Sequence, residues 1–254
     1  MTRETTIREL TLDFQLDRIA PGGRISLLAL ATNFNSEQDL RHLLPEGVEI
    51  FTNRIENANP VTLANLRAMA GDITQTARGM LPGLGVDVMI YGCTSGTVAN
   101  GEDEIGRLIN AAWPDIPVTN PVTAALAAFE VLAARRVSIL TPYTVEVNTE
   151  MARYFTSQGV EVLGITGLGF EDDIEMTGIP PKVIRAAAAE ALDPDADVLF
   201  ISCTAIRSSL AIADIERDID RPVVTSNQAL VWHALKLLEN PAPVHGYGRL
   251  FEKL

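Results

Sequence analysis

Two cysteines, Cys93 and Cys203, are the only thiols in a chain of 254 residues, and each ends an apolar run in the same way. The first run reads Val86-Asp-Val-Met-Ile-Tyr-Gly-Cys-Thr-Ser-Gly-Thr97 and the second Ala196-Asp-Val-Leu-Phe-Ile-Ser-Cys-Thr-Ala-Ile206. An apolar, partly β-branched run that stops at small and hydroxylated residues predicts a buried parallel strand breaking into the start of a helix. Free amides and the positive end of the helix dipole favour an anion there, so each cysteine is expected to have a lowered pKa and to be partly thiolate. Matching positions in two half-molecules predict one site with a thiol from each half. Such a pair suits two reactions. It can take a proton from one face of a carbon and return it on the other, which is racemisation. Alternatively, one thiolate adds to an activated double bond while the second group manages a proton. Either route builds negative charge on a substrate carboxylate and needs donors aimed at it. The candidates are Thr94, Ser95 and Thr204, the side-chain amide of Asn35 or Asn33, and the phenol of Tyr143.

The surrounding sequence predicts what positions these residues. Residues 1–23 read as a polar lead-in ending in the turn Pro21-Gly-Gly23. Strands are expected at 24–31, 48–52, 86–93 and 116–119, with helices at 36–44, 60–70, 72–80, 101–112 and 120–134. The order then repeats: strands at 136–141, 160–163, 196–203 and 222–225, helices at 145–158, 180–192 and 227–238, and a glycine-bearing loop after 163. Arg24 to Arg136 is 112 residues, Val48 to Val160 is 112, Cys93 to Cys203 is 110 and Pro117 to Pro222 is 105. Four landmarks at nearly one offset predict two pseudo-symmetric α/β lobes, each a parallel sheet flanked by helices. Ligands of such sheets lie at the carboxyl ends of the strands, which puts the site in the cleft between the lobes. Asn33, Asn35, Cys93, Tyr143 and Cys203 all fall at such ends.

Composition bounds the partners. Hydrophobic residues make up 47% and charged ones 21%, the balance of a soluble globular protein. A net charge of −13 lacks the Lys and Arg surplus that nucleic acid or an acidic membrane requires. The first residues show no apolar leader and no stretch is long enough to span a bilayer, so a cytoplasmic protein with reduced thiols is expected. The three histidines, His42, His233 and His245, have no ligand-like spacing to either cysteine, and the glycines at 83, 85, 92 and 96 do not make a dinucleotide fingerprint.

At these residues the chain resembles the aspartate/glutamate racemase superfamily, in the branch of maleate cis-trans isomerases, arylmalonate decarboxylases and ectoine-utilisation proteins. The likeness is carried by Tyr91-Gly-Cys-Thr-Ser-Gly96, Leu140-Thr-Pro-Tyr143 with Glu146-Val-Asn148, Ile201-Ser-Cys-Thr-Ala-Ile-Arg207, and Thr225-Ser-Asn-Gln-Ala-Leu230 followed by Trp232. It implies the two-lobed fold, with the C-terminal segment returning to the first lobe: residues 1–119 plus 222–254 form one lobe and 120–221 the other. It implies a cofactor-independent isomerase of a small carboxylate, expected as a homo-oligomer. Cys93 would add to an olefinic carbon of a cis-dicarboxylate such as maleate, Cys203 would serve as proton donor or stabiliser, and Tyr143 and Asn35 would hold carboxylates. Racemisation of an amino acid or related 2-substituted acid is the alternative, and a non-catalytic acid-binding relative a third reading. The family tends to carry an asparagine near Asp173, so the acid here would repel a dicarboxylate or hold an amino group.

Overall fold

The computed structural model describes residues 5–254. The first half builds β1 (Gly23–Leu30), α1 (Ser36–Leu43), β2 (Val48–Ile55), α2 (Leu63–Ala68), α3 (Ala70–Arg78), β3 (Val88–Tyr91), α4 (Thr94–Asn100), α5 (Glu102–Asn110), β4 (Val118–Thr119) and α6 (Pro121–Val131). The second half builds β5 (Arg136–Thr141), α7 (Val145–Ser157), β6 (Glu161–Gly167), α8 (Asp173–Thr177), α9 (Pro181–Ala191), β7 (Val198–Ile201), α10 (Ile212–Ile219), β8 (Val223–Thr225) and α11 (Ser226–Leu237). Short 3-10 turns occupy Ser209–Ala211 and Arg249–Lys253.

Each half is a four-stranded, wholly parallel sheet, ordered β2-β1-β3-β4 in one lobe and β6-β5-β7-β8 in the other. The central strands β3 and β7 are buried along their whole length, which their unbroken apolar sequences require. The duplication extends to atoms. In the first lobe the Arg24 amide donates to Asp87 at 2.8 Å and its guanidinium pairs with the same carboxylate at 3.0 Å. In the second, Arg136 repeats both contacts with Asp197, at 2.8 and 2.9 Å. Each pair ties the start of β1 or β5 to the residue just before β3 or β7, and so sets the height at which the cysteine emerges at the far end.

Two helices cross between the lobes. α6 is started by Asn120, whose side chain accepts from the Val122 and Thr123 amides at 3.0 and 2.9 Å. α11 is started by a reciprocal capping box between Thr225 and Gln228. α6 packs on α11 and touches β8, while α11 packs on α1, β3 and β4. Behind the second sheet, Phe200 of β7 packs edge-to-face on Phe129 of α6 and Phe155 of α7, with centroids 5.7 Å apart in each pair.

Three details differ from expectation. Strand 223–225 pairs with β7, so the second sheet runs past residue 221 and the return to the first lobe begins only with α11. The stretch after 163 is not all loop: β6 extends to Gly167, and α8 follows because Asp172 caps the amides of Ile174 and Glu175. Residues 5–19 form no helix or strand, and they expose apolar as well as polar side chains.

Candidate active site

β3 delivers Cys93 to the first turn of α4. Its backbone is extended, its carbonyl accepts the Thr97 amide at 3.1 Å, and its thiol accepts the Gly96 amide at 3.2 Å, so the sulfur itself caps the helix. Ser95 Oγ lies 3.7 Å from the same sulfur. The amides of Thr94 and Ser95 belong to the first turn, where N–H groups have no acceptor within the helix. Gly96 is required by space: a Cβ there would lie 2.5 Å from Tyr91 Oη and 3.0 Å from Cys93 Sγ.

Cys203 emerges differently. No helix starts at it; its φ is +110°, a strained value for a residue with a side chain, and the chain turns so that the Ala205 amide donates to Sγ at 3.3 Å. The expectation of a helix dipole behind each cysteine holds for Cys93 alone. The Cys203 amide donates to Ser226 Oγ at 3.0 Å, and that hydroxyl lies 2.9 Å from Thr94 Oγ1. The first residue of α11 therefore ties the turn at one cysteine to the helix start at the other.

Tyr143 is buried near both thiols, and desolvation together with the charges of Cys203 and Cys93 raises the pKa of its hydroxyl. Its loop is held by Asn148, which accepts from Thr141 Oγ1 at 2.7 Å and donates to the Tyr143 carbonyl at 3.2 Å.

The thiols are not acidic. Both are buried, and desolvation together with the nearby Asp173 carboxylate pushes each up to about 12. Amide donors at both sulfurs act in the opposite direction and lose. The expectation of a partly ionised resting thiol is thus overturned by burial, a term that strand-end position does not reveal. Burial also holds the Tyr143 phenol well above its ordinary value.

Asp173, at the start of α8, is 6% exposed and reaches the site from the second lobe. Its Oδ2 accepts from Thr32 Oγ1 at 2.9 Å and from Asn57 Nδ2 at 3.5 Å. No cationic side chain bonds to it among the described residues. Burial raises its pKa, an effect the Thr32 hydroxyl reduces and Asp172 increases. Ser95 and Asp173 line one narrow cavity of about 10 Å³, room for about one water molecule.

The two asparagines lie at the site but their amides are occupied. Asn33 Nδ2 donates to Ser36 Oγ and Thr204 Oγ1, at 2.8 and 3.1 Å, while its Oδ1 accepts the amides of Asn35 and Ser36. Asn35 Nδ2 donates to the Ile206 and Thr204 carbonyls, at 3.0 and 3.4 Å. Thr204 Oγ1 donates in turn to the Gly92 carbonyl at 2.9 Å. These three side chains clamp the lobes together. The sequence reading did not single out Ser226, Asn227, Asp39, Thr32 or Asn57, although Asn227 bridges Asp39 Oδ2 and the Thr204 carbonyl at 3.0 Å each. Ser226 and Asn227 stand in the Thr225–Leu230 motif; Thr32, Asp39 and Asn57 carry no local signal.

A pseudo-symmetric two-lobed α/β chain with a thiol from each lobe at one cleft defines the aspartate/glutamate racemase-like class, in its maleate isomerase and arylmalonate decarboxylase branch. The chain belongs to the arylmalonate decarboxylase family, whose model matches residues 61–251. It is 33% identical to the arylmalonate decarboxylase of Bordetella bronchiseptica over 144 residues, a match spanning 54% of this chain and 59% of that protein. It is 25% identical to the maleate isomerase of Nocardia farcinica over 244 residues, 91% of this chain and 96% of that protein. Among solved structures, the maleate isomerase Iso of Pseudomonas putida S16 superposes with a TM-score of 0.84 at 25% identity, covering 90% of this chain and 98% of that one. A mutant of the N. farcinica maleate cis-trans isomerase with a covalently bound succinylcysteine intermediate superposes with a TM-score of 0.83 at 22% identity, over 91% and 99% of the two chains.

Proposed function

We propose that the protein is a cofactor-independent isomerase that converts a small cis-unsaturated dicarboxylate of the maleate type to its trans isomer. The observation that carries this reading is the link between the two cysteine turns: Ser226 Oγ accepts the Cys203 amide at 3.0 Å and lies 2.9 Å from Thr94 Oγ1, next to Cys93, so that a thiol from each lobe stands at one junction. Cys93 loses its proton to water as the substrate enters. Its thiolate then adds to one olefinic carbon, forming a C–S bond and moving the π electrons onto the neighbouring carbon and its carboxylate as an enediolate. Cys203 gives that carbon its proton, the C–C single bond rotates, and Cys203 takes the proton back as the C–S bond breaks. The Cys93 thiolate freed by that cleavage recovers a proton from water as the trans isomer leaves, so thiol, substrate and proton counts are the same before and after. The first-turn amides of Thr94 and Ser95 and the Tyr143 hydroxyl stabilise the carboxylate charge. The covalent succinylcysteine of the N. farcinica structure supports the addition step.

Peptide mass mapping after incubation with maleate tests the reading. A succinyl adduct on Cys93, accumulating in Cys203→Ser, is the expected result; turnover surviving in Cys93→Ser would remove the mechanism.

Asp173 supports a second reading. A buried carboxylate with no cation beside it accepts a substrate ammonium group, as an amino acid would supply, and two thiols on opposite sides of an α-carbon suit racemisation. Solvent deuterium entering that α-carbon, watched by proton NMR, distinguishes this from isomerisation.

A further inference from the structure

Leu10, Leu12, Phe14 and Leu16 alternate with Thr11, Asp13, Gln15 and Asp17, the two-residue period of a strand with one apolar face. In the single chain this segment pairs with nothing: Leu10 is 81% exposed, Leu12 63%, Phe14 70% and Leu16 88%. Four large apolar side chains at alternating positions of one segment, all in water, mark an interaction surface.

The molecule also carries the matching half. β6 is the outermost strand of the second sheet, so its far side presents unpaired backbone groups. It is seven residues long, the length of Leu10–Leu16. Beside it runs a groove of about 410 Å³, lined by Val162 and Ile165 of β6 and by Val145, Thr149, Ala152 and Thr156 of α7. Those four α7 positions follow helical spacing and form one stripe. Val145 is 82% exposed, so the stripe lacks the strand that would cover it. The outer strand of the other sheet is differently furnished: β2 is flanked by α1 and α3, and its Asn53 and Arg54 side chains are tied to Thr76, Leu30 and Asn33. Within one copy the segment is joined to β1, in the opposite lobe, by the six residues 17–22, which reach at most about 20 Å. A second copy presents the β6 edge free of that tether.

We propose that residues 10–16 of one copy add as a fifth strand to the β6 edge of a second copy, with Leu10, Leu12, Phe14 and Leu16 laid on the α7 stripe. Main-chain hydrogen bonds supply affinity, and the alternating side chains set which face is buried. Reciprocal exchange of two such arms closes a twofold dimer.

Light scattering on the full chain, with two variants altered only at exposed or groove positions, tests the proposal. The full chain is expected as a dimer at micromolar concentration, and Leu12→Asp/Phe14→Asp and Ile165→Lys each as monomers with unchanged far-ultraviolet circular dichroism. An equimolar mixture of the two variants should recover a dimer, because one brings an intact edge and the other an intact arm. Trypsin should cut after Arg8 and Arg18 slowly in the full chain and rapidly in both variants. A monomeric full chain, an arm variant of wild-type mass, or a mixture that stays monomeric would each overturn the proposal.

Discussion

At the scale of single residues, the charge on the sulfurs governs everything else. Burial and Asp173 hold both thiols at about 12, so the resting site is neutral at sulfur, and the thiolate fraction rises about tenfold per pH unit through the neutral and mildly alkaline range. Alkylation of Cys93 by a small neutral reagent should follow that slope. Asp173→Asn removes a negative charge that both sulfurs feel, and so lowers both thiol pKa values. Its alkylation profile should move to lower pH, and its kcat/KM for a dicarboxylate should rise. Superimposable profiles for the two proteins would remove Asp173 from the electrostatics of the site. The same variant separates the two substrate readings, because an amino-acid substrate that uses the carboxylate would bind it less tightly.

At the scale of elements, the strand-to-helix junction at Cys93 has no spare volume. A methyl group at Gly96 would meet Tyr91 Oη, Met69 Cε and Cys93 Sγ within 3.0 Å. Gly96→Ala should therefore cost about 1–3 kcal/mol of stability. It should also lower turnover more than binding, measured as a fall in Tm together with a kcat loss larger than any change in KM. The arginine–aspartate pair that sets the height of β7 makes a separate prediction. Asp197, bonded to Arg136 through side chain and backbone, is held down at about 2 against its ordinary 3.8. A depressed carboxylate stabilises the fold above its ordinary pKa, and that contribution disappears as the pH falls from 3.8 towards 2. Asp197 is about a third exposed, so solvent screens the effect and keeps it modest. Asp197→Asn should lower Tm slightly at neutral pH, and the difference should vanish in acid.

At the scale of the whole molecule, the lobes are closed on each other. Thr204 of the second lobe is held by Asn33, Asn35 and Ser36 of the first, and the Val61 amide donates across to the Glu171 carbonyl at 2.7 Å. Since the space beside Ser95 and Asp173 holds only about one water molecule, a dicarboxylate enters only when the lobes or their loops part. Alkylation of Cys93 should then saturate with reagent concentration at the opening rate, and hydrogen exchange at Val61 should report the same opening. A rate that stays linear in reagent would show that the thiol is reached without it.

The sequence by itself determined the repeated strand–helix order, the two parallel sheets and the matching positions of Cys93 and Cys203, because alternating apolar runs and a nearly constant offset of 105 to 112 residues are local and countable. It also put Thr94, Ser95, Tyr143 and Thr204 just past the ends of β3, β5 and β7. The ionisation of the thiols was decided only by tertiary structure, because desolvation depends on what closes over a strand end and not on the strand. Tertiary structure alone likewise gave Asn33 and Asn35 to the clamp between the lobes, where their amides meet the Thr204 hydroxyl and the Ile206 carbonyl, each 171 residues away. It joined Ser226 to both cysteine turns and returned α11 across the cleft after β8 had completed the second sheet. In each case the deciding contact joins segments distant in the chain, and the local sequence carries the chemistry of the group but not the identity of its partner.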